Sequence, residues 1–202
     1  MKKIIMIVVG LGIVAGGVGL VIEFLTSDFD KGAKAYENKD YQRATEFLGK
    51  ACDEKDVRGC SKLGLMYDNA EGVQEDKQKA KELYAKACDG GDAFGCGKLG
   101  NRYDLGEGVK QDKEKARELY TKACDGGDAF GCGKLGNMYA WGEGVNEDKL
   151  KAAEFYGKAC DGGSVGWCVL LGLMYQHGEG VEKDKSKAAE LFSKACDGGD
   201  AE

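Results

Sequence analysis

Nine cysteines fall at positions 52, 60, 88, 96, 124, 132, 160, 168 and 196, and both members of each pair recur every 36 residues. The segment KACDGGDAFGC occupies Lys86–Cys96 and returns unchanged at Lys122–Cys132. A fixed period of this length is the mark of a repeat architecture, and it outranks any local motif. Full units run 57–92, 93–128, 129–164 and 165–200, preceded by a shorter unit at 29–56. The shortening lies between Tyr36 and Ala44, five residues closer than Tyr67 and Ala80 in the next unit.

Each full unit reads as two helices. In 93–128, Asp92 is placed to cap a first helix that runs to about Tyr103. Cys96, Leu99, Gly100 and Tyr103 follow the i, i+3, i+4, i+7 spacing of one helical face. Leu105-Gly106-Glu107-Gly108 breaks the helix, and Val109 plugs the loop into the core. Asp112 then caps a second helix with Ala116, Leu119, Tyr120 and Ala123 on its apolar face, and Gly126-Gly127 ends it. Gly64, Gly100, Gly136 and Gly172 sit mid-helix, where glycine costs about 1 kcal/mol against alanine. Their recurrence predicts a close helix–helix approach at that point. Hairpins of this size cannot bury their faces alone. Stacked, they predict an all-α, right-handed α/α solenoid over residues 28–202, with the first helices lining a concave groove by analogy with tetratricopeptide-like stacks.

The segment before the repeats is of another kind. After Met1-Lys2-Lys3, residues 4–22 form an unbroken run of apolar residues and glycine, ended by Glu23. That length spans a bilayer core at ~1.5 Å per residue, so 1–27 reads as an uncleaved N-terminal hydrophobic helix or as a cleaved signal peptide. Both readings export the repeats to the periplasm or beyond, and an uncleaved segment anchors them in the inner membrane. A net charge of −6 with no Lys/Arg cluster excludes a nucleic-acid partner. The only histidine, His177, excludes sites built on two. The G-x-G loops have neither a preceding strand nor a lysine in place for phosphate, and no cofactor motif is present.

The stretch KLGNMYAWGEGVNEDKLKAAEFYGKACDGGS, Lys134 to Ser164, resembles the Sel1-like repeat through its LG-x-MY, G-x-G-V and KA-x-x-x-Y/F elements. The added cysteine pair is similar to that of the Helicobacter cysteine-rich proteins. The resemblance covers Phe29 to the end. It implies a TPR-like scaffold and, because some members are described as penicillin-binding, a β-lactam ligand with weak β-lactamase activity. Serine β-lactamase chemistry needs S-x-x-K, and none of Ser27, Ser61, Ser164, Ser186 and Ser193 has lysine three residues on. No K-T-G is present, and no catalytic residue is assigned.

Cys88 falls in the last turn of one helix and Cys96 in the first turn of the next, so the antiparallel corner brings them within reach of a disulfide. Zinc needs four ligands, and C-x7-C is not its usual spacing; no metal ligand is assigned, and a CxxC redox motif is absent. In an exported chain the expected bridges are Cys52–Cys60, Cys88–Cys96, Cys124–Cys132 and Cys160–Cys168. Cys196 would pair with position 204, past Glu202, so the expectation is a truncated chain, a free thiol or a bond between chains.

Binding residues are sought where the units differ. The first helices carry Lys62, Leu65, Met66 and Asn69; then Lys98, Asn101, Arg102 and Leu105; then Lys134, Asn137, Met138 and Trp141; then Leu170, Leu173, Met174 and His177. Asparagine amides pair with an extended peptide backbone, and Trp and Met anchor apolar side chains. The expected groove residues are therefore Asn101, Arg102, Asn137, Met138, Trp141, Met174 and His177, facing a peptide or protein partner in the envelope or outside the cell. The recurring Glu71, Glu107, Glu143 and Glu179 read as solvated loop charges. Tyr67, Tyr103, Tyr139 and Tyr175 read as core.

Overall fold

The computed structural model describes residues 26–199. The apolar run at 4–22 with its anchor or signal reading, and residues 200–202, lie outside the described residues. Among the described residues no helix is long and apolar enough to cross a membrane.

Ten helices and no strand make up the described residues. The short unit gives α1 (Asp28–Glu37) and α2 (Tyr41–Asp53). The full units give α3 (Val57–Asn69) with α4 (Lys77–Asp89), α5 (Ala93–Leu105) with α6 (Lys113–Asp125), α7 (Ala129–Trp141) with α8 (Lys149–Asp161), and α9 (Val165–His177) with α10 (Lys185–Gly199). The starts are set by side chains. Asp76, Asp112 and Asp148 accept from the backbone N–H of Lys79, Lys115 and Lys151. Asp92 and Asp128 accept from Gly95 and Gly131. Each such cap stabilises its helix by about 1 kcal/mol. Ser164, at the same place before α9, makes no side-chain cap bond.

In the full units first helices end in a left-handed residue, glycine at Gly106, Gly142 and Gly178 with φ of 74°, 66° and 77°. In the first full unit that residue is Ala70, at φ 56°. The loop then closes by a backbone bond from the next N-cap: Asp76 to the Tyr67 carbonyl at 3.0 Å, Asp112 to Tyr103 at 2.9 Å and Asp148 to Tyr139 at 2.8 Å. Val73, Val145 and Val181 tuck into the core from these loops.

Within each unit the two helices meet at the mid-helix glycine. A Cβ on Gly64 would lie 2.9 Å from the Tyr84 ring, on Gly100 2.9 Å from Tyr120, on Gly136 2.4 Å from Tyr156 and on Gly172 2.6 Å from Phe192. The bare backbone lets these rings pack closely against the partner helix, and Tyr84 and Tyr120 are fully buried. The core is strung along the stack, each cluster drawing on neighbouring units. One joins Ala80, Tyr84 and Cys88 to Cys96, Leu99, Leu119 and Ala123.

Four disulfides cross the unit boundaries, from the end of one second helix to the start of the next first helix: Cys52–Cys60, Cys88–Cys96, Cys124–Cys132 and Cys160–Cys168, with Cα separations of 4.5–4.6 Å. Cys196, on α10, is exposed and unbonded. The boundaries are also tied through the loop glutamates, which are more than solvated charges. Lys113 reaches Glu143 at 2.8 Å, Lys149 reaches Glu179 at 3.0 Å, and the Tyr36 hydroxyl donates to Glu71 at 2.8 Å. Tyr67, Tyr103, Tyr139 and Tyr175 are half-buried. A lysine of the following helix covers each ring, from Lys115 at 4.4 Å from the Tyr103 centroid to Lys151 at 5.2 Å from that of Tyr139.

Candidate binding face of the first helices

On a helix of ~3.6 residues per turn, positions spaced four, three and four apart fall on one narrow arc. On α3 that arc holds Arg58, Lys62, Leu65 and Asn69; on α5, Phe94, Lys98, Asn101 and Leu105; on α7, Phe130, Lys134, Asn137 and Trp141; on α9, Gly166, Leu170, Leu173 and His177. All sixteen are exposed or half-buried. The residues of this face differ from unit to unit: Arg58, Phe94, Phe130 and Gly166 in one row position, Asn69, Leu105, Trp141 and His177 in another.

The expected groove residues divide on this face. Trp141 is 72% exposed, and His177 is exposed one unit further along the same row. Asn101 and Asn137 are half-buried, and their side-chain oxygens are engaged. The Tyr156 hydroxyl donates to Asn137 Oδ1 at 2.7 Å, which leaves that amide NH2 as the outward-bonding group, while the Tyr120 hydroxyl is shared between Asp104 Oδ2 at 3.2 Å and Asn101 Oδ1 at 3.4 Å. Burial raises the Tyr156 hydroxyl to about 12, which keeps it a donor.

Arg102, Met138 and Met174 do not line this face. They are buried at 5%, 2% and 9% exposure, as is Met66. Each lies one residue past its row, and one residue is about 100° of rotation, enough to turn the side chain toward the preceding unit. Arg102 shows the direction: its guanidinium pairs with Asp68 of the preceding unit and with Glu107 at 2.7 Å. The residues missed are Phe94 and Phe130. They stand four positions before Lys98 and Lys134 on the same arc, and extending the row one turn toward the helix start finds them.

The face has its own chemistry. Lys62 lies 4.9 Å from the Tyr36 ring centroid. Lys98 lies between Phe94 and Phe130, 5.2 and 5.4 Å from their centroids, and Lys134 lies 5.5 Å from that of Phe130. Phe29, Leu65 and Phe94 line a cavity of about 300 Å³ together with Arg58, Lys62, Ser61 and Asp92. Ser61 is buried and its hydroxyl donates to the Asp92 carboxylate. The Asp128 carboxyl is pushed above the usual range by burial, against the pull of the Gly131 N–H and Lys98. Among the described residues no cluster of three His, Cys, Asp or Glu side chains is placed to hold a metal ion.

Stacked two-helix units, braced at each boundary and presenting one variable face, define a helical-repeat scaffold protein. A family model described as Sel1 repeat matches residues 30–56, 57–92, 93–128, 129–164 and 168–200. The chain belongs to the Sel1 repeat family. It is similar to Helicobacter pylori "Putative beta-lactamase HcpC", 43% identical over 44 residues; the match covers 22% of this chain and only 15% of that protein's length. The crystal structure of a Sel1 repeat protein from Oxalobacter formigenes superposes with a TM-score of 0.80 at 25% identity, covering 89% of this chain and 78% of that one. Helicobacter pylori cysteine rich protein B superposes at 0.54 with 34% identity, covering 65% of this chain and 95% of that one.

Proposed function

We propose that this chain is an exported scaffold that binds a peptide or protein segment along the first-helix face. One observation carries the reading. Of the seven large hydrophobic side chains left exposed among the described residues, five are on that face, Phe94, Leu105, Trp141, Leu170 and Leu173, with Leu150 and Val169 elsewhere. A tryptophan with 72% of its surface in water is a residue for contact with a partner rather than for folding. Disulfides at four boundaries fit an oxidising compartment outside the cytoplasm.

The test is capture from an envelope extract with the oxidised chain, compared with Trp141→Ala and with Asn101→Ala/Asn137→Ala. A partner retained by the parent chain and lost by both variants supports the reading. An unchanged set of captured proteins rejects it. The β-lactamase reading comes from the family resemblance and the relatives' names, and turnover of a chromogenic β-lactam above a heat-inactivated control is what it requires.

A further inference from the structure

We infer that the occupant of this face is an extended peptide of two halves, with carboxylate side chains opposite the units of α3 and α5 and bulky apolar side chains opposite α9. The inference rests on the binding reading above and specifies its ligand.

The first half follows from charge. One row of the face runs Lys62, Lys98, Lys134, then Leu170. Among the described residues neither Lys62 nor Lys98 has a carboxylate within ion-pairing distance; the ion pairs of this region go to Arg58 with Asp56 and to Lys134, at 3.8 Å from Asp104. Both ammonium groups are instead held over ring faces, Lys62 on Tyr36 and Lys98 between Phe94 and Phe130. A lysine parked on an aromatic ring keeps its charge and has already lost much of its freedom, so pairing with an arriving carboxylate costs less ordering. The chain as a whole carries −6, and Lys62 and Lys98 are the cations of this strip left without an ion-pair partner among the described residues. Such a strip favours a short acidic segment over a long nucleic acid, whose backbone would also meet the negative remainder.

The second half follows from the change of residues in the last full unit. Where α5 and α7 carry Phe, Lys and Asn, α9 carries Gly166, Leu170 and Leu173. Leu170 and Leu173 are 37% and 39% exposed, next in order to Trp141 on α7. Cation and ring give way to an aliphatic surface within one unit. Between the two parts the amide NH2 of Asn137 remains to donate to a backbone carbonyl, which suits an extended chain rather than a helix whose carbonyls are already bonded.

The experiment uses the full oxidised chain and fluorescent peptides about twelve residues long, roughly 40 Å when extended. One carries a glutamate half and a leucine–phenylalanine half, a second has the halves exchanged, and a third replaces the glutamates by lysine. An all-glutamate peptide and a DNA duplex serve as plain polyanions. One of the two acidic–apolar peptides is expected to bind at least tenfold tighter than the lysine peptide and either polyanion. Lys62→Glu/Lys98→Glu and Leu170→Asp/Leu173→Asp are each expected to weaken it about tenfold or more, with circular dichroism confirming that the variants stay helical. Equal binding of the lysine peptide, equal binding of a polyanion, or indifference to the Lys62/Lys98 pair overturns the two-halved ligand. If no designed peptide binds while the captured envelope partner is still lost with Trp141→Ala, this ligand class fails and the binding reading stands. If capture also ignores Trp141→Ala, both fail.

Discussion

Arg102 of one unit pairs with Asp68 of the unit before it, and both side chains are largely shielded from water, at 6% and 16% exposure. The Tyr84 hydroxyl donates to the same aspartate at 3.0 Å, and Glu107 takes the other arm of the guanidinium. The other full units put methionine at the Arg102 position, as Met66, Met138 and Met174. One boundary of the stack therefore holds a buried ion pair where the others hold a thioether.

Breaking that pair from one side should be costly. Arg102→Met leaves Asp68 half-satisfied in a dry boundary, and the expected loss is about 3 kcal/mol in urea unfolding. Adding Asp68→Ala, the residue found at the matching position as Ala140, should recover most of it. A double variant no better than the single would mean that the boundary depends on the charges themselves.

Gly136→Ala sets helix propensity against packing. Alanine gains about 1 kcal/mol in a helix interior, but its Cβ would meet the Tyr156 ring at 2.4 Å. Overpacking of this kind costs about 1–3 kcal/mol, so net destabilisation is expected from thermal unfolding. A stabilised variant would show that the ring moves aside freely.

Ala70→Gly should act in the opposite direction. Ala70 holds the left-handed end of α3 at φ 56°, where the later units use glycine. Relief of that conformation is worth roughly 1 kcal/mol. A lower unfolding midpoint for the glycine variant would contradict the account.

Each disulfide closes a ring of nine residues, worth about 2.5 kcal/mol in the chain-entropy picture. Cys124→Ala/Cys132→Ala is expected to lose about that much. Alkylation of the native chain before reduction, read by intact mass, should label Cys196 alone. Labels on all nine cysteines would remove the bridges from the argument.

Alkaline pH should loosen the stack in a defined window. Burial and the Glu71 carboxylate push the Tyr36 hydroxyl up to about 12, burial takes Tyr156 to about 12, and burial also raises Tyr84 and Tyr120. An unfolded tyrosine titrates near pH ~10. Between about 10 and 12 the folded chain keeps phenolic protons that the unfolded chain has lost, so stability falls as pH rises there and is unaffected by these groups below it. The urea midpoint should drop across that window, and less steeply in Tyr156→Phe. Identical slopes would show that the buried hydroxyls do not matter.

Most of the stack was legible in the residues because its determinants are local. Asp112 and Gly126 bracket a helix by rules that act within one turn, and the eight-residue step from Cys88 to Cys96 spans one corner. The mid-helix Gly100 pointed to its close contact, with Tyr120, by recurrence alone. The face was harder. Difference between units was taken to mean exposure, and Arg102 breaks that rule because its partner, Asp68, lies 34 residues away on another unit. A charged residue becomes a core residue when a neighbour supplies the countercharge, and nothing within its own helix announces it. Glu143 and Glu179 are exposed, as solvated loop charges would be, but their pairing with Lys113 and Lys149 of the preceding unit is likewise announced by nothing local.

The position of the sulfur bridges also governs what a cut in the chain can do. Each corner between stacked hairpins, such as Asp89–Gly90–Gly91–Asp92, lies inside the ring closed by Cys88 and Cys96. A protease that severs the backbone there produces two polypeptides that remain one molecule until a reductant arrives. The corners are thus the places where a nick does not separate the pieces.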